Sequence, residues 1–502
     1  MAKEENNELS RGLKARHLNM IAMGGSIGTG IFLAMGDSIH QAGIGGSIVA
    51  YGIIGIMVYF LITSLGEMAT FMPVSGSFGV YATKFIDPAL GFALGWNYWY
   101  NWAITIATEM VAGSLIMKFW FPNVPAFVWS VIFLVIIVGL NLLSAKAYGE
   151  SEFWFAGIKV VTVIIFMIVG VLIILGIMGG IAVGFKNIYA NGGPFVGGAK
   201  SIFAIFLIAG FSFQGTELIG IAAGESENPE KTIPKAVHTV FWRILLFYIG
   251  TIIVIGLIIP SGLAGVNTSP FTMVFERAGI AGAASLMNAV ILTSVLSAGN
   301  SGMYASSRML YSMAKEGMAP KIFGKTNKRG VPVNAIILTT VIASACFLTG
   351  IFAESSVYVW LVAASGLAGF IAWLGIAVCH YRFRKAYVHQ GKDLSKLPYK
   401  SKMFPLGPII ALVLCAVVIV GQGFAYINSD GIDWMSIISA YIGIPLFLIL
   451  LFGYKFKKKT KILKLDDVDL EVVNSKEKAF EEVVNSKEKA FEEVEKLELE
   501  EN

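Results

Sequence analysis

Apolar residues occur along most of this chain in long runs, and polar residues gather in the shorter stretches between them. Twelve such runs lie near residues 18–41, 44–70, 90–117, 125–145, 153–178, 201–224, 237–260, 284–312, 332–352, 357–380, 404–425 and 436–454. Each has about 20 residues or more, enough for a helix to cross a hydrocarbon core of roughly 30 Å. Because backbone groups surrounded by lipid must bond to each other, these runs predict helices. The pattern therefore predicts an all-α integral membrane protein with twelve transmembrane helices, spans 1 to 12 in chain order.

The composition supports the same class of protein. Of 502 residues, 56% are hydrophobic and 14% are charged, and the mean hydropathy is +0.72. A soluble domain of this size carries more charge on its surface. The three cysteines, Cys346, Cys379 and Cys415, lie in apolar runs with neither a pairing pattern nor metal-ligand spacing. No nucleophile–base set, phosphate loop or metal cluster is recognisable, so we expect no enzymatic activity, no cofactor, no metal and no nucleic-acid partner.

Basic residues between the runs predict the orientation in the membrane. Twelve spans place both ends of the chain on one side. If that side is cytoplasmic, the inner segments hold Arg11, Lys14, Arg16, Lys84, Lys146, Lys231, Lys235 and the basic residues within 315–329, 382–402 and 455–464. The outer loops then hold little beyond Lys118, Lys186, Lys200 and Arg277. By the positive-inside rule, we expect a multi-pass protein of the cell (inner) membrane with both termini cytoplasmic.

Two spans contain interruptions that an ordinary membrane helix avoids. Span 1 contains GGSIGTG at 24–30, and span 6 contains FSFQGTE at 211–217. Small residues also let helices pack closely, which is the alternative explanation for span 1. Close packing does not account for Gln214 and Glu217 at mid-depth in span 6. The two runs share a Gly-Thr pair and lie five spans apart, which favours paired discontinuous helices around a mid-membrane site.

An unwound backbone can bind both charges of an amino acid. Freed N–H groups at a positive helix end attract a carboxylate, and freed carbonyl groups accept bonds from an α-ammonium group. Phe211 lies beside the predicted break and is a candidate aromatic gate. Tyr98 and Trp102 in span 3 are either packing residues or walls of the site.

Ionisable side chains within the spans are few, and each costs several kcal/mol near the bilayer centre. Glu109 lies in span 3 and Lys159 in span 5. Glu217 follows the predicted break in span 6, and Glu225 closes that helix near the cytoplasm. Glu67, late in span 2, carries less weight because it lies close enough to the cytoplasmic end to reach water or a partner.

Lys159 indicates whether sodium ions or protons would be coupled to transport. Sodium-coupled transporters of similar architecture have an oxygen-lined cation site between helices 1, 5 and 8. A fixed ammonium there would occupy the place of the sodium ion and repel it. A desolvated lysine also exchanges its proton more readily than an exposed one. The sequence therefore predicts proton coupling at Lys159, and a structural lysine paired with a glutamate or with carbonyl groups remains the alternative.

Glu109 and Glu217 are candidate partners for a second positive charge on the substrate. A buried carboxylate needs a compensating partner, which a cationic side chain would supply. This favours a cationic amino acid as substrate. For Glu217, a gating or proton-sensing role without substrate contact stays open.

Several of these runs resemble the amino acid transporter branch of the amino acid–polyamine–organocation superfamily, and especially its bacterial lysine-specific permeases. The matching stretches are LKARH at 13–17, GGSIGTG at 24–30, PVSGSF at 73–78, GWNYWYNW at 95–102, GFSFQGTE at 210–217, GESENP at 224–229 and SAGNSGMYASSR at 297–308. The resemblance extends over about residues 10 to 460. A glutamate matching Glu109 also occurs in permeases of neutral substrates, so Glu109 alone does not argue for lysine.

The resemblance implies a LeuT-type fold, in which spans 1–5 and 6–10 are inverted repeats with broken helices 1 and 6, and two peripheral helices follow. It implies that span 1 holds the substrate carboxylate, while Phe211 and Ser212 hold the amine and gate the site. Together with the residues above, the candidate substrate-binding residues are Ser26, Ile27, Gly28, Thr29, Gly30, Tyr98, Trp102, Glu109, Phe211, Ser212, Gly215 and Glu217. The candidate coupling residues are Lys159, Glu217 and Glu225.

The expected organisation has five parts: a cytoplasmic N-terminus (1–17), a ten-helix inverted-repeat transport core (18–380), a cytoplasmic loop (381–403), helices 11 and 12 (404–455) and a charged cytoplasmic tail (456–502). The tail carries a tandem eleven-residue repeat at 471–481 and 482–492. An eleven-residue period supports an amphipathic helix, and a solvated charged segment is the simpler interpretation.

The expected function is proton-coupled uptake of L-lysine by alternating access, as a secondary active permease. Its partners would be L-lysine or other cationic amino acids, the proton and the lipid bilayer. The alternatives are a broader cationic or neutral amino acid permease or exchanger, and a transporter-like receptor that senses amino acids.

Overall fold

A computed structural model describes residue 20 and residues 27–74, 76–143, 145–180, 182–190, 192–226, 228–264, 269–280, 282–428 and 431–470. Within the helices, the side chains of residues 145–147, 225, 240, 241 and 243–245 are not described, nor are those of residues 425 and 428. The chain divides into two units, Met1–Val468 and Asp469–Asn502. The elements below belong to the first unit. The tandem repeat at 471–492, for which an amphipathic helix or a solvated segment is expected, lies outside the described residues.

The described residues are mostly helical. The α-helices are α1 (Met35–Phe71), α2 (Ser77–Phe85), α3 (Pro88–Met117), α4 (Ala126–Asn141), α5 (Ala145–Ile174), α6 (Lys186–Tyr189), α7 (Gly198–Ala204), α8 (Phe206–Phe213), α9 (Leu218–Ala222), α10 (Pro229–Arg243), α11 (Thr251–Ile258), α12 (Pro270–Arg277), α13 (Ala283–Lys315), α14 (Val333–Ala343), α15 (Glu354–His389), α16 (Leu406–Gly421), α17 (Trp434–Tyr441) and α18 (Gly443–Lys458). Two π-helical segments, Gly30–Ala34 and Ile244–Gly250, continue into α1 and α11. Two short strands, β1 (Ile427–Asn428) and β2 (Gly431–Ile432), pair antiparallel between α16 and α17.

Tight 3-10 turns complete the helical segments, at Ala223–Glu225, Ser261–Leu263, Lys321–Gly324, Ser344–Gly350, Leu394–Lys396 and Gln422–Tyr426. Ser344–Gly350 extends α14, and Gln422–Tyr426 extends α16. The first extension falls within predicted span 9, and the second falls within predicted span 11 except for Tyr426, so these two spans are helical over most of their predicted length.

Eight helical stretches among the described residues are long and apolar enough to cross a membrane. They are Gly30–Phe71, Tyr148–Ile174, Gly198–Ala222, Ala283–Lys315, Val333–Gly350, Glu354–His389, Leu406–Phe424 and Trp434–Lys458, and the shorter apolar helices are Ala126–Asn141 and Leu246–Ile258. The predicted class, a helical multi-pass membrane protein, is confirmed.

Gly43 divides the first of these stretches. Its φ of 72° and ψ of 176° interrupt the helical geometry within Met35–Phe71. Residues other than glycine rarely adopt this backbone conformation. A β-carbon at this position would also lie 2.7 Å from the carbonyl oxygen of Pro194. The stretch Gly30–Phe71 therefore contains the second half of predicted span 1 and all of predicted span 2, with the bend between them at Gly43.

Helix ends differ from the predicted runs where buried polar residues extend a helix beyond its apolar part. Span 5 was predicted over 153–178, whereas α5 covers Ala145–Ile174. Span 10 was predicted over 357–380, and α15 continues to His389 because its last turns bury Phe383, Arg384 and Tyr387 against the protein. The segment predicted as a loop from residue 381 therefore begins as helix.

Helix α3 lies at the centre of the fold, and most of its residues are buried. It packs along α13 and α15, and α2, α4 and α18 also contact it. Its start is well specified, because the Asp87 side chain accepts a bond of 2.9 Å from the Ala89 N–H and Pro88 occupies the first helical position. This arrangement holds Tyr98, Trp102 and Glu109 in the protein interior.

Asp87 also ties the last long helix to α3. The Lys455 Nζ donates to Asp87 Oδ2 at 2.5 Å. Burial alone would raise the pKa of Asp87, but the hydrogen bonds from Lys455 and the Ala89 N–H hold it below its ordinary value. Asp87 therefore acts as a helix cap and as an anchor for α18.

Candidate functional site

The helix predicted as span 6 is interrupted in its middle. Helix α8 ends at Phe213, Gln214 leaves the helical region with a ψ of 146°, and α9 begins at Leu218. Gly215 has a φ of 92°, a value that favours glycine because it has no β-carbon. Residues 214–217 thus form a short non-helical segment inside the protein, as the sequence predicted.

The helix predicted as span 1 has a matching non-helical position. Ile27 and Gly28 are buried and not helical, and the π-helical segment Gly30–Ala34 begins just after them. The Ile27 carbonyl accepts a bond of 3.0 Å from Ser294 Oγ on α13. The preceding residues 21–26, including the candidate Ser26, lie outside the described residues. The described half of this segment shows where the helix begins, and the interruption of span 1 stays a prediction.

The start of the span 1 helix touches the interrupted span 6 helix directly. Ser212 Oγ on α8 donates to the Gly30 carbonyl oxygen at 3.1 Å. A β-carbon on Gly30 would lie 2.9 Å from Ser212 Oγ, so this approach needs glycine. Tyr51 and Tyr248 hold Ser212 from the other sides, with its hydroxyl 3.0 Å from Tyr51 Oη and its carbonyl accepting from Tyr248 Oη at 2.7 Å. Ser212 therefore positions the two helices with contacts that use its polar atoms.

A small cavity lies beside both interruptions. Its volume is about 20 Å³, and it is lined by Gly28, Gly30, Trp102, Thr105, Glu109, Phe211, Gln214 and Ala298. Five of these are predicted site residues. The volume suffices for about one water molecule, so the site in this conformation is closed around too little space for an amino acid.

Glu109 presents a free acceptor at this cavity. Its Oε1 accepts a bond of 3.1 Å from Thr29 Oγ1. Its Oε2 is buried and has no hydrogen-bond partner among the described residues. A β-carbon on Gly28 would lie 2.9 Å from Oε1, which shows how closely span 1 approaches this carboxylate. A buried acceptor without a partner is costly, and a ligand that donates a hydrogen bond would satisfy it.

Glu217 lies behind the second interruption, and its oxygens have protein partners. Oε1 accepts from Tyr98 Oη at 3.2 Å and from the Gly215 N–H at 3.3 Å, and Oε2 accepts from Trp373 Nε1 at 3.2 Å. The carboxylate thus ties the non-helical segment to α3 and α15. In this conformation Glu217 and Tyr98 are oriented toward each other, and neither lines the small cavity.

Lys159 is paired with a residue that sequence reasoning missed. Its Nζ lies 3.6 Å from Glu152 Oε1, and both side chains are fully buried. Ser297 Oγ on α13 lies 2.7 Å and 2.8 Å from the two carboxylate oxygens of Glu152. Lys159 also interacts electrostatically with Glu109 across the site. The predicted span 5 began at residue 153, which left Glu152 out of the intramembrane charges by one position.

A polar network fixes the second interruption to α15. Gln214 Nε2 donates to the Ser365 carbonyl at 2.9 Å, and Ser365 Oγ lies 3.0 Å from both Gln214 Oε1 and Asn101 Oδ1. Thr105 Oγ1 lies 2.6 Å from Ser365 Oγ. Gln214 could be recognised from the sequence, because a polar amide in the middle of a membrane span is unusual. Asn101, Thr105 and Ser365 gave no such signal, because short polar side chains are common in membrane helices.

The remaining ionisable candidates lie toward the other end of the fold. Glu225 ends the 3-10 turn Ala223–Glu225, and its side chain is outside the described part of the structure. Glu67 is fully buried and pairs with Arg384 on α15 through Arg384 Nε and Oε1 at 2.6 Å. The Ser401 N–H donates to Glu67 Oε2 at 2.7 Å. Glu67 thus has protein partners and does not reach the interface.

Comparison with known proteins identifies the family. The model of the amino acid permease family matches residues 17–467. The chain belongs to the amino acid permease family. The resemblance read from the sequence is therefore confirmed, and both the family and the relatives below are permeases rather than enzymes.

Three relatives match nearly the whole of this permease. The lysine-specific permease LysP of Escherichia coli is 56% identical over 469 residues, which cover 92% of this chain and 96% of the relative. The lysine-specific permease LysP of Lactococcus lactis subsp. cremoris is also 56% identical, covering 92% and 93%. The histidine permease HisP of the same organism is 52% identical, covering 93% and 99%.

Proposed function

We propose that this permease takes up L-lysine with protons by alternating access. In this proposal twelve spans cross the cell (inner) membrane with both termini cytoplasmic, and spans 1–10 form a LeuT-type inverted repeat. The observation that carries the proposal is the Glu109 carboxylate, which offers an unpartnered oxygen at a cavity between the non-helical positions of spans 1 and 6. The two relatives described as lysine-specific permeases support lysine as the substrate.

The backbone of the interruptions would bind the amino acid group. The first N–H groups of a helix have no partner within that helix, so those after Gly28 suit a carboxylate. Carbonyl groups near Phe211 and Gly215 suit the α-ammonium group. The side-chain ammonium of lysine would then meet the open oxygen of Glu109, since both oxygens of Glu217 already accept hydrogen bonds.

Alternating access is supported by a larger cavity on one side of the closed site. This cavity has a volume of about 290 Å³ and is lined by Asp37, Leu207, Tyr358, Asp433 and neighbours at the proposed outer ends of spans 1, 6, 10 and 12. Its size approaches that of pockets for small ligands. On the proposed cytoplasmic side, the buried Glu67–Arg384 pair joins α1 to α15. The conformation is therefore interpreted as occluded, with an outer vestibule.

Proton coupling is assigned to Lys159, with Glu217 and Glu225 as further coupling residues. Lys159 is fully buried, lies beside Glu152 and interacts with Glu109 at the proposed substrate site. A proton gained or lost here would change the charge beside the bound substrate.

A broader permease is the second candidate, because a histidine permease is 52% identical over nearly the same length. Histidine and lysine share the α-amino acid group and a basic side chain. A site built on Glu109 would accept both if its walls do not discriminate between them.

The experiment is uptake of radiolabelled L-lysine by the purified permease in proteoliposomes, with and without an imposed pH gradient. We expect saturable uptake that an inside-alkaline gradient stimulates and that unlabelled lysine abolishes, while leucine has no effect. Lys159→Ala should remove the stimulation by the gradient. Equal competition by histidine would favour the broader permease, and absence of lysine uptake would contradict the proposal.

A further inference from the structure

Glu152 lies directly beside Lys159, the proposed coupling residue. It lies on α5 seven positions before Lys159, which is about two helical turns and places both side chains on one face. Their charged groups are 3.6 Å apart, and neither side chain is exposed. An acidic and a basic side chain buried together at this depth are a functional candidate by default.

Ser297 holds this carboxylate in place across the interface of α5 and α13. Its hydroxyl lies within hydrogen-bond distance of both carboxylate oxygens, at 2.7 Å and 2.8 Å. The neighbouring Ser294 on α13 donates to the Ile27 carbonyl at the first interruption. One turn of α13 therefore contacts both the Glu152–Lys159 pair and the backbone proposed to bind substrate.

Few other titratable groups among the described residues lie near the Glu152–Lys159 pair. Across the site, Glu109 on α3 interacts with Lys159. On α13, Tyr304 stacks on Tyr148 of α5 with ring centroids 4.0 Å apart, and Arg308 lies over the Tyr304 ring. Arg308 is eleven positions from Ser297, or about 16 Å along the helix. Among the described residues, the other elements packed on α5 add no titratable group nearby: α4 and α11 carry none, and Glu276 and Arg277 of α12 are exposed.

The charges around the substrate site do not cancel when the site is empty. With Lys159 as a neutral amine, the carboxylates of Glu109 and Glu152 beside it carry a formal charge of −2 when both are ionised. Glu217 is not counted, because both of its oxygens accept hydrogen bonds from the protein. An uncompensated charge in a medium of low dielectric constant is costly. A lysine substrate brings a net charge of +1 and one proton brings another, so the two together neutralise the site.

We propose that Glu152 is a positioning residue that holds Lys159 and supplies the negative charge which makes proton binding accompany lysine binding. This inference rests on the proposed function. Without Glu152 the formal charge of the empty site is −1, and the lysine substrate alone neutralises it. Loss of this carboxylate therefore uncouples lysine movement from proton movement and leaves the substrate contacts in place.

The test compares Glu152→Gln with the wild type in proteoliposomes. Lysine counterflow without a gradient measures substrate binding and exchange, and a pH-sensitive dye measures the protons that move with each lysine. For Glu152→Gln we expect counterflow near the wild-type level, a loss of about tenfold in gradient-driven uptake and little proton movement. The uptake profile should become flat between about pH 5 and about pH 8, the range in which we expect the wild type to respond.

Three further variants separate coupling from folding. Glu150→Gln removes a half-buried carboxylate two positions away and should behave as the wild type. Ser297→Ala and Glu152→Asp keep all charges, so both should keep the wild-type ratio of protons to lysine even where the rate falls. If Glu152→Gln loses counterflow as well, a lost proton ratio in the two charge-preserving variants would assign Glu152 a purely structural role.

A wild-type proton ratio in Glu152→Gln would overturn the inference. A wild-type protein that moves lysine without protons, or moves no lysine, would instead overturn the proposed function. These outcomes are distinguishable because the second needs no variant.

Discussion

Ser212 Oγ donates to the Gly30 carbonyl at 3.1 Å, so a side chain of the interrupted span 6 helix binds the backbone at the start of the span 1 helix. Both residues are buried. The contact joins the start of the π-helical segment Gly30–Ala34 to the last turn of α8, next to the cavity that Glu109 lines. The geometry of the proposed site therefore depends on how closely these two helices approach.

Gly30→Ala should remove transport while the protein still inserts in the membrane. Its β-carbon would overlap Ser212, and overpacking of this kind costs about 1–3 kcal/mol and displaces a helix. Gly52→Ala is the matched control, because a β-carbon on Gly52 of α1 meets nothing within 4 Å. Lysine counterflow per inserted permease measures both. Normal counterflow in Gly30→Ala would show that the close approach is not required.

Glu109→Gln should weaken lysine binding at nearly unchanged side-chain volume. It removes the negative charge proposed to meet the substrate ammonium, and we expect a loss of about tenfold or more in apparent affinity. The exposed Glu276→Gln is the control. Competition by unlabelled lysine against labelled lysine measures the change. An unaltered affinity in Glu109→Gln would place the substrate ammonium elsewhere.

Glu67 and Arg384 should stabilise the fold only as a pair. Both are buried, and Arg384 Nε, Arg384 Nη2 and the Ser401 N–H all donate to the Glu67 carboxylate. His380 Nε2 lies 3.3 Å from the same carboxylate. Glu67→Gln alone leaves Arg384 uncompensated, which costs about 3–5 kcal/mol, whereas Glu67→Met with Arg384→Met should recover part of the loss.

Thermal unfolding in detergent measures this difference between the single and double variants. The exposed Glu316→Gln provides the baseline for loss of one carboxylate. A double variant less stable than Glu67→Gln would show that the two residues do not act as a pair.

Asp87 should make stability depend on pH in one direction. Its pKa is lowered in the folded protein, because hydrogen bonds from Lys455 and the Ala89 N–H outweigh the effect of burial. A group with a lowered folded-state pKa contributes stability above its unfolded-state pKa, near 4, and loses it as the pH falls through the folded-state value. Asp87→Asn should therefore lower the unfolding temperature at neutral pH and much less in acid. A difference from wild type that grows in acid would contradict this.

The sequence predicted those parts of the molecule that depend on local composition. Long apolar runs marked the helices, and Gly215 with Gln214 marked the interruption of span 6, because no continuous membrane helix favours those residues. Lys159 was recognisable because an intramembrane charge is rare. Each of these features can be recognised from a single segment of the sequence.

Features that depend on two distant segments were not predictable. Ser297 holds Glu152 from 145 positions away, and Ser365 holds Gln214 from 151 positions away. Glu152 also lies one residue before the apolar run that begins at residue 153, so the run itself does not mark it as an intramembrane charge. Glu67 shows the same limit, since its partner Arg384 lies 317 positions along the chain in what was expected to be a loop.

The most direct measurement of the central claim is a structure of the permease bound to L-lysine, determined by electron cryomicroscopy in lipid nanodiscs. We predict that lysine lies between Gly28 and Gly215, with its carboxylate at the backbone of residues 28–30 and its side-chain ammonium at Glu109. Lysine bound away from this cavity, or continuous helices through both positions, would contradict the account.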